Sequence, residues 1–306
     1  MNKERKNNYR LKVYLRILIV VLVLVVSTLS VAIAIPLAQL LNLDLSELQG
    51  QGFNPTFKVL TVVILYASFQ FLLIWLVMRF IHRKTLGSLG FKGPILFPLL
   101  VGTAFGMIWV AADYLILHFF NSNISIVLSI PQGVSVITII CYFLLNVLFL
   151  LTLNSLKEEL VFRAYPISQF DDYPQLMIPI IILVSLVFAS VHHILVPFAL
   201  DDFVSRFTIA LVLSFVFYRW RSIWLIVGIH NGLNLFEYLT GGNYKMGGLL
   251  KLSMENDPSQ GVSIAIDLGL AIIFILIFNF IWNKENQSNK MLLHIKHPVA
   301  NKTYKQ

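Results

Sequence analysis

The chain has 306 residues, of which 58% are hydrophobic and only 12% are charged. A soluble domain carries about 25% charged residues, so this composition excludes a soluble globular protein. The single cysteine, Cys141, excludes an internal disulfide framework and a thiolate metal cluster. The net charge of +8 does not indicate nucleic-acid binding, because the basic residues cluster beside apolar segments, as membrane topology requires.

Apolar segments follow one another along the chain, and most approach the roughly 20 residues that cross a bilayer. They predict an all-α fold, a polytopic transmembrane helical bundle of about eight spans that forms a single integral membrane domain over residues 1–306. The predicted spans are 17–41, 56–81, 95–119, 136–170, 176–196, 204–218, 223–239 and 262–282.

The distribution of basic residues predicts the orientation of these spans. Lys and Arg concentrate in the N-terminal tail, the segment 79–92, the turn 219–221 and the C-terminal tail, whereas the segment 121–135 has neither. Because basic loops stay on the cytoplasmic side, we expect both termini to be cytoplasmic. We also expect the membrane to be the plasma membrane of a prokaryote.

Two adjacent carboxylates, Glu158 and Glu159, lie in the fourth predicted span. A carboxylate in hydrocarbon costs about 2.5–3.5 kcal/mol on insertion scales and usually faces a protein interior or a wet cavity. Arg163 follows Glu159 by one helical turn on the same face, so the two can pair. Glu158 is rotated away by about 100° and lacks that partner. We therefore interpret Glu158 as a candidate general base, with a charge cluster at the membrane edge as the alternative.

Two later spans carry polar patterns with the same helical spacing, Phe188-x-x-x-His192 and His230-x-x-x-Asn234. Taken alone, the first pattern is better explained by a hydrogen bond of the histidine to a neighbouring carbonyl, and the second by a hydrogen bond between packed helices. The predicted depths of these residues in the membrane favour a common site instead. An antiparallel hairpin of the fourth and fifth spans puts Glu158 and His192 at nearly equal depth, roughly 20 Å from the cytoplasmic end at 1.5 Å per residue. The same rise puts His230 and Asn234 roughly 13–20 Å deep.

The ordered set Glu-Glu-x-x-x-Arg, Phe-x-x-x-His and His-x-x-x-Asn resembles the CAAX protease and bacteriocin-processing family, also called the CPBP or Abi family. The resemblance covers about residues 136–240, and Ala164 stands where many members have glycine. It implies an intramembrane endopeptidase that hydrolyses a membrane-associated peptide or protein tail near the cytoplasmic leaflet. Its partners would be the lipid bilayer and that substrate.

The resemblance also implies roles for the residues of the three patterns. Glu158 would activate the attacking water, His192 and Asn234 would stabilise the oxyanion, and His230 would position Glu158 or the water. The pair formed by Glu159 and the following arginine would keep the helix in place. We favour a metal-independent mechanism without a cofactor. The alternative is a divalent metal such as Zn²⁺ held by Glu158, His192 and His230.

Two other functions fit the same residues. A non-catalytic bacteriocin self-immunity or membrane scaffold protein would keep the fold and bind a partner. A proton-coupled transporter would use Glu158, His192 and His230 as a relay. The sequence shows no inverted pair of broken helices, which secondary transporters often have. The order and chemistry of the three patterns favour the enzyme.

Overall fold

The computed structural model describes residues 3–30, 57–120, 124–129, 133–194, 197–241, 248–254 and 258–296, together with 36, 39–40, 42 and 256. Most of the predicted end of the first span, at 31–41, and the lysines after residue 296 lie outside the described residues.

Eight helices and two short strands make up most of this described part of the chain. The strands pair in antiparallel register, with Ile124 opposite Met254 and Leu128 opposite Leu250. This two-stranded sheet is the one departure from the predicted all-α fold. In chain order the elements are α1 (Lys3–Leu29), α2 (Phe57–Leu76, followed by a π turn at Val77–Ile81), α3 (Leu96–Phe119), β1 (Ile124–Leu128), α4, α5 (Met177–His192), α6 (Leu200–Trp220), α7 (Ile223–Thr240), β2 (Leu250–Met254) and α8 (Gln260–Lys296).

The fourth helix, α4, is continuous, and two of its five segments have π-helical instead of α-helical hydrogen bonds. Its segments are Val136–Leu145, Asn146–Leu151, Thr152–Glu159, Leu160–Ala164 and Tyr165–Ser168, of which the second and fourth are π-helical. The two glutamates of interest therefore end a short α-helical segment between two π turns. Such π turns are rare and frequently lie at functional sites.

Five stretches in the described helices are long and apolar enough to cross a membrane: Leu11–Leu29, Leu60–Ile81, Leu96–Phe119, Pro174–His192 and Gln260–Glu285. The helical bundle is confirmed, but the predicted count of eight spans is not. Helices α4, α6 and α7 are not among these five stretches, and they carry most of the polar side chains of the site described below.

The central helix of the bundle is α7, in which ten of the first eleven residues are buried and Trp224 is partly buried. Helix α3 packs directly against it through facing glycines, Gly102 and Gly106 on α3 and Gly228 and Gly232 on α7. A Cβ added at Gly232 would lie 2.9 Å from the Cα of Gly106, so the two backbones touch without intervening side chains. Small residues allow this close approach of helices in membranes. The contact fixes the helix that carries His230.

Ion pairs fasten the turns at one end of the bundle. Arg16 of α1 donates to the carbonyl of Gln169 at 2.8 Å and to Asp172 at 3.1 Å. The neighbouring Asp171 pairs with Arg221 in the turn between α6 and α7, at 2.5 Å. These contacts join α1, the α4–α5 turn and the α6–α7 turn. The basic turn 219–221 thus lies at the same end as the α4–α5 turn, as the hairpin prediction requires.

Candidate active site

A buried ion pair lies at the centre of the site. Arg163 donates to Glu159 Oε1 at 3.0 Å, and neither side chain is exposed at all. His230 Nδ1 lies 2.7 Å from the same carboxylate oxygen. A carboxylate oxygen only accepts, so Nδ1 of His230 is the donor. Glu159 therefore holds Arg163 on its own helix and His230 on α7.

The neighbouring Glu158 has its own partners. Its Oε1 accepts a hydrogen bond from Asn154 Nδ2 at 2.8 Å and lies 3.8 Å from the ammonium of Lys157. Arg163 pairs with Glu159, whereas Glu158 has another charged partner, Lys157. Side chains adjacent in sequence do not normally face each other on a helix, but the long lysine side chain folds back far enough to reach. The second oxygen, Oε2, lies 3.8 Å from His230 Nε2.

The aromatic ring of Phe188 separates Arg163 from His192. The guanidinium of Arg163 lies 3.7 Å from the Phe188 ring centroid, within cation–π range. The rings of Phe188 and His192 have centroids 4.5 Å apart. His192 Nδ1 lies 2.8 Å from the Phe188 carbonyl. A carbonyl only accepts, so Nδ1 carries the proton and Nε2 remains available for other contacts.

Two asparagines on α7 take unlike positions. Asn231 donates through Nδ2 to Thr152 Oγ1 at 3.0 Å, and Thr152 in turn donates to the Val147 carbonyl at 2.7 Å. This chain of bonds ties α7 to the first π turn of α4. Asn234 lies three residues further on, just under one turn, and lines a cavity. The described contacts of Asn231 are therefore structural, whereas Asn234 lies on the wall of that cavity.

A polar cavity of about 320 Å³ brings the four predicted catalytic residues together. Glu158, His192, His230 and Asn234 all lie on its wall. The cavity extends toward the first two turns of α6 and the last turn of α7, where Asp202, Ser205, Arg206 and Glu237 line it. This end is opposite to the basic turn 219–221. The predicted convergence of three helices is thus present, while the cavity runs away from the basic end of the bundle.

A second cavity of about 220 Å³ lies on the other side of Glu158 and His192, which line both spaces. Polar side chains of α1 and α2, among them Thr28 and Tyr66, line part of it, but most of its surface is apolar. Thr28 and Val191 connect this cavity to an apolar groove of about 280 Å³ between α1 and α5. The Glu158–His192 pair therefore stands where a polar space and an apolar one meet.

The described residues contain no group of three or more His, Cys, Asp and Glu side chains that is arranged to hold a metal ion. Two of the donors proposed for zinc already have protein partners, since His230 bonds Glu159 and Glu158 bonds Asn154.

Comparison with known protein families gives a match over the segment that contains this site. Residues 140–236 match the family model described as Type II CAAX prenyl endopeptidase Rce1-like. The predicted family resemblance is thereby confirmed. The matched segment contains all six residues that the sequence patterns singled out. At the level of the family it supports a CAAX-type intramembrane endopeptidase, and it does not favour the immunity, scaffold or transporter alternatives. No curated protein and no solved structure gives a significant match.

Two residues of the site were not selected from the sequence. Asn154 and Lys157 both contact Glu158. The spacing of four between Asn154 and Glu158 on a helix is a signal that could have found the first. A lysine within an apolar segment is a signal for the second, because ionisable groups in membranes usually mark function.

Proposed function

We propose that this protein is an intramembrane endopeptidase in which Glu158 activates a water molecule for attack on a peptide bond. The observation that carries the proposal is the placement of Glu158 Oε2, which faces His230 Nε2 at 3.8 Å on the wall of the cavity shared with His192 and Asn234. A water molecule in this space can contact the carboxylate and the imidazole together.

The reaction follows from these positions. The water oxygen bonds to the carbonyl carbon of the substrate while Glu158 accepts the water proton, and the carbonyl electron pair moves onto its oxygen. The amide of Asn234 donates to this oxyanion. Collapse of the intermediate breaks the carbon–nitrogen bond, and the proton held by Glu158 passes to the leaving amine. General base catalysis of this kind contributes about 10²–10⁴ in rate.

His192 donates to the oxyanion under one condition. Its Nδ1 proton is already used by the Phe188 carbonyl. Nε2 therefore donates only when the ring is doubly protonated, as an imidazolium. In the neutral ring, Nε2 accepts and can receive the proton of a bound water. We assign Asn234 as the unconditional oxyanion donor and His192 as a second donor in its charged form.

We further propose that the substrate is a peptide that carries an apolar chain. The peptide would occupy the polar cavity, and the chain would occupy the smaller cavity and the α1–α5 groove. The described family acts on prenylated CAAX tails, which have this two-part chemistry. The groove side chains are aliphatic, among them Leu24, Ile180 and Leu183. The groove opens into the smaller cavity, which meets the polar cavity at Glu158 and His192, so we place the scissile bond there.

The orientation in the membrane is also a proposal. Both termini and the basic turns would face the cytoplasm of a prokaryote, following the charge distribution. The polar cavity then extends away from the cytoplasmic ends of α6 and α7. Reagents that label cysteine from one side of sealed vesicles test this, because Cys141 is the only native cysteine. In a Cys141→Ser background, a cysteine at Lys92 should react from the cytoplasmic side and one at Ser125 from the other side.

The catalytic proposal is tested with purified protein in lipid nanodiscs. The probe is an internally quenched peptide with a farnesylated cysteine three residues before its C-terminus. Glu158→Gln should lower cleavage by at least about 10²-fold, since the amide cannot act as a base. The matched control is Glu237→Gln, which changes another carboxylate on the same cavity wall and should retain most of the activity. Cleavage by Glu158→Gln at the wild-type rate would exclude Glu158 as the base.

The substrate proposal is tested by filling the groove. Leu183→Trp introduces a large ring into the groove, whereas Leu186→Trp places the same ring elsewhere on α5, outside the groove lining. The first variant should raise KM for the farnesylated peptide severalfold, and the second should leave it unchanged. Equal KM values for the farnesylated and the unmodified peptide in the wild type would exclude the apolar subsite.

A further inference from the structure

Lys157 is a buried lysine directly before the candidate base. Only 8% of the residue is exposed, although it lies on a helix inside an apolar bundle. Burial of an ammonium group is costly unless the charge is paired and hydrogen-bonded. The surroundings of Lys157 must therefore supply compensating contacts, and these contacts show what the side chain does.

Three groups surround the ammonium of Lys157. It donates to Asn154 Oδ1 at 2.8 Å, lies 4.3 Å from the centroid of the Tyr66 ring on α2, and lies 3.8 Å from Glu158 Oε1. The Tyr66 contact is a cation–π arrangement within the usual range of 6 Å. The described contacts thus come from two helices, and the only carboxylate among them is Glu158.

Asn154 joins Lys157 and Glu158 through the two ends of its amide. The amide oxygen accepts from Lys157, and the amide nitrogen donates to Glu158 Oε1 at 2.8 Å. An ammonium can only donate and a carboxylate can only accept, so the orientation of the amide is fixed. Asn154, Lys157 and Glu158 form a closed set of contacts, here called the lysine clamp.

The lysine clamp is separate from the buried ion pair beside it. Arg163 directs its salt bridge to Glu159, and the hydrogen-bonded nitrogen of His230 also serves Glu159. Glu158 receives its nearest full positive charge from Lys157. Asn154 and Lys157 contact Oε1 of Glu158, whereas Oε2 faces His230 and the polar cavity. The two oxygens of one carboxylate therefore have different functions, one held and one available.

We propose that Lys157 is a positioning residue of the reaction: its ammonium, together with Asn154 and Tyr66, keeps Glu158 ionised and turns its second oxygen toward the attacking water. This inference rests on the proposed function, in which Glu158 is the base. Lys157 lines the smaller cavity and not the polar one, so it lies outside the space assigned to the peptide and acts on the scissile bond only through Glu158.

The test compares Lys157→Met with Lys157→Arg in nanodiscs, using the farnesylated peptide probe. The methionine variant keeps the apolar stem but loses the charge, and its kcat should fall about 10- to 100-fold, a part of the contribution of a general base. The fall in kcat should be the same for the unmodified peptide, because Lys157 acts through Glu158. Lys157 lines the cavity assigned to the apolar chain, so a change confined to KM for the farnesylated peptide would assign it to chain binding and contradict the proposal. The arginine variant should recover part of kcat. The exposed Lys251→Met is the control for loss of a positive charge elsewhere, and it should behave as the wild type.

A second pair of variants decides the matter if Lys157→Met does not fold. Tyr66→Phe keeps the ring under the ammonium, whereas Tyr66→Leu removes it. The leucine variant should lose kcat relative to the phenylalanine variant with the unmodified peptide as well as with the farnesylated one, because Tyr66 also lines the cavity assigned to the apolar chain. Equal kcat values in this pair, or a Lys157→Met variant with wild-type kcat, would overturn the proposal.

An infrared measurement separates failure of the clamp from failure of the proposed function. The difference spectrum between wild type and Glu158→Gln should show an ionised carboxylate at neutral pH. The spectrum between Lys157→Met and the Lys157→Met/Glu158→Gln double variant should show a protonated carboxyl group instead. A carboxylate band that persists without Lys157 contradicts the clamp whether or not the peptide is cleaved. Absence of cleavage by the wild type, together with the expected bands, refutes only the proposed function.

Discussion

The imidazole of His230 connects Glu159 to Glu158. Its Nδ1 donates to Glu159 at 2.7 Å, and its Nε2 faces Glu158 at 3.8 Å. The buried ion pair of Glu159 and Arg163 thus orients the ring that faces the candidate base. Hydrogen bonding at one imidazole nitrogen sets the state of the other, so Nε2 is unprotonated in the neutral ring. The same side chain therefore contacts both the supporting ion pair and the candidate base.

Replacements of His230 should separate these two contacts. His230→Asn places an amide group near the former Nδ1, so the bond to Glu159 and the thermal stability should be largely kept while kcat falls. His230→Gln places the amide near the former Nε2, so it should lose more stability but keep more of the contact with the water. Thermal unfolding and steady-state cleavage of both variants check this. The reverse order of stabilities would contradict the assigned ring orientation.

Removal of Arg163 should destabilise the whole bundle. Arg163→Met leaves the fully buried Glu159 with His230 as its remaining partner, and breaking a buried pair in this way costs about 3–5 kcal/mol. A second change, Glu159→Gln, removes the uncompensated charge and should restore part of the loss. The control is Arg206→Met. Its ion pair with Asp202 is well over a third exposed on both sides, so only about 0–1 kcal/mol is expected. A double variant no more stable than Arg163→Met would argue against an uncompensated charge as the cause.

Much of the fold and of the site could be predicted from the sequence, for identifiable reasons. Helical spacing predicts that Glu159 and Arg163 share a face, and the structure has this pair. The hairpin turn near residues 171–174 is present because Pro174 follows the polar pair there. These features depend on the spacing of residues within one helix or turn, which can be read from a single sequence.

Other features depend on contacts between helices and could not be predicted in this way. The π turns of α4 shift the register of its side chains, and no spacing rule reveals them. The clamp on Glu158 needs Tyr66 from α2, ninety-one positions before Lys157 in the chain. The count of eight membrane spans is not confirmed, because length and composition identify five spanning stretches among the described helices. The direction of the cavity likewise depends on how α6 and α7 pack.

Chelators should not abolish cleavage. Glu158, His192 and His230 are not arranged as a metal site in the described structure, and His230 and Glu158 are already hydrogen-bonded to protein groups. The wild type should keep its activity on the farnesylated peptide after dialysis against a strong chelator, and elemental analysis should find less than stoichiometric zinc. Loss of activity that returns on addition of Zn²⁺ would replace the glutamate mechanism with a metal-dependent one.

The glycine contact between α3 and α7 should be intolerant of a single methyl group. A Cβ at Gly232 would overlap the backbone of Thr103, so Gly232→Ala forces the helices apart. Overpacking of this kind costs about 1–3 kcal/mol, and it should also lower kcat because His230 moves with α7. Gly269→Ala on α8 is the matched control, since nothing lies within 4 Å of its added Cβ. Alanine there should be neutral or stabilising by about 0.5–1 kcal/mol. Equal unfolding temperatures for the two variants would contradict the contact.

Asn231 and Asn234 provide the sharpest separation of structure from catalysis, because they are similar in chemistry and lie on the same helix. Loss of an oxyanion donor costs about 10²–10³ in kcat, so Asn234→Ala should show this loss with little change in unfolding temperature. Asn231→Ala loses the bond to Thr152 instead, and it should lower stability by about 0.5–1.5 kcal/mol while keeping most of kcat.

The comparison also distinguishes the oxyanion role of Asn234 from a role in substrate binding. A binding contact equal in ground and transition states raises KM and leaves kcat unchanged, whereas an oxyanion contact acts on kcat. Asn234→Asp keeps the size of the side chain but replaces the donor with an acceptor, so it should be at least as impaired as the alanine variant. If Asn234→Asp cleaved the peptide faster than Asn234→Ala, the group at this position would not be donating to an oxyanion. The oxyanion site would then have to be sought at His192.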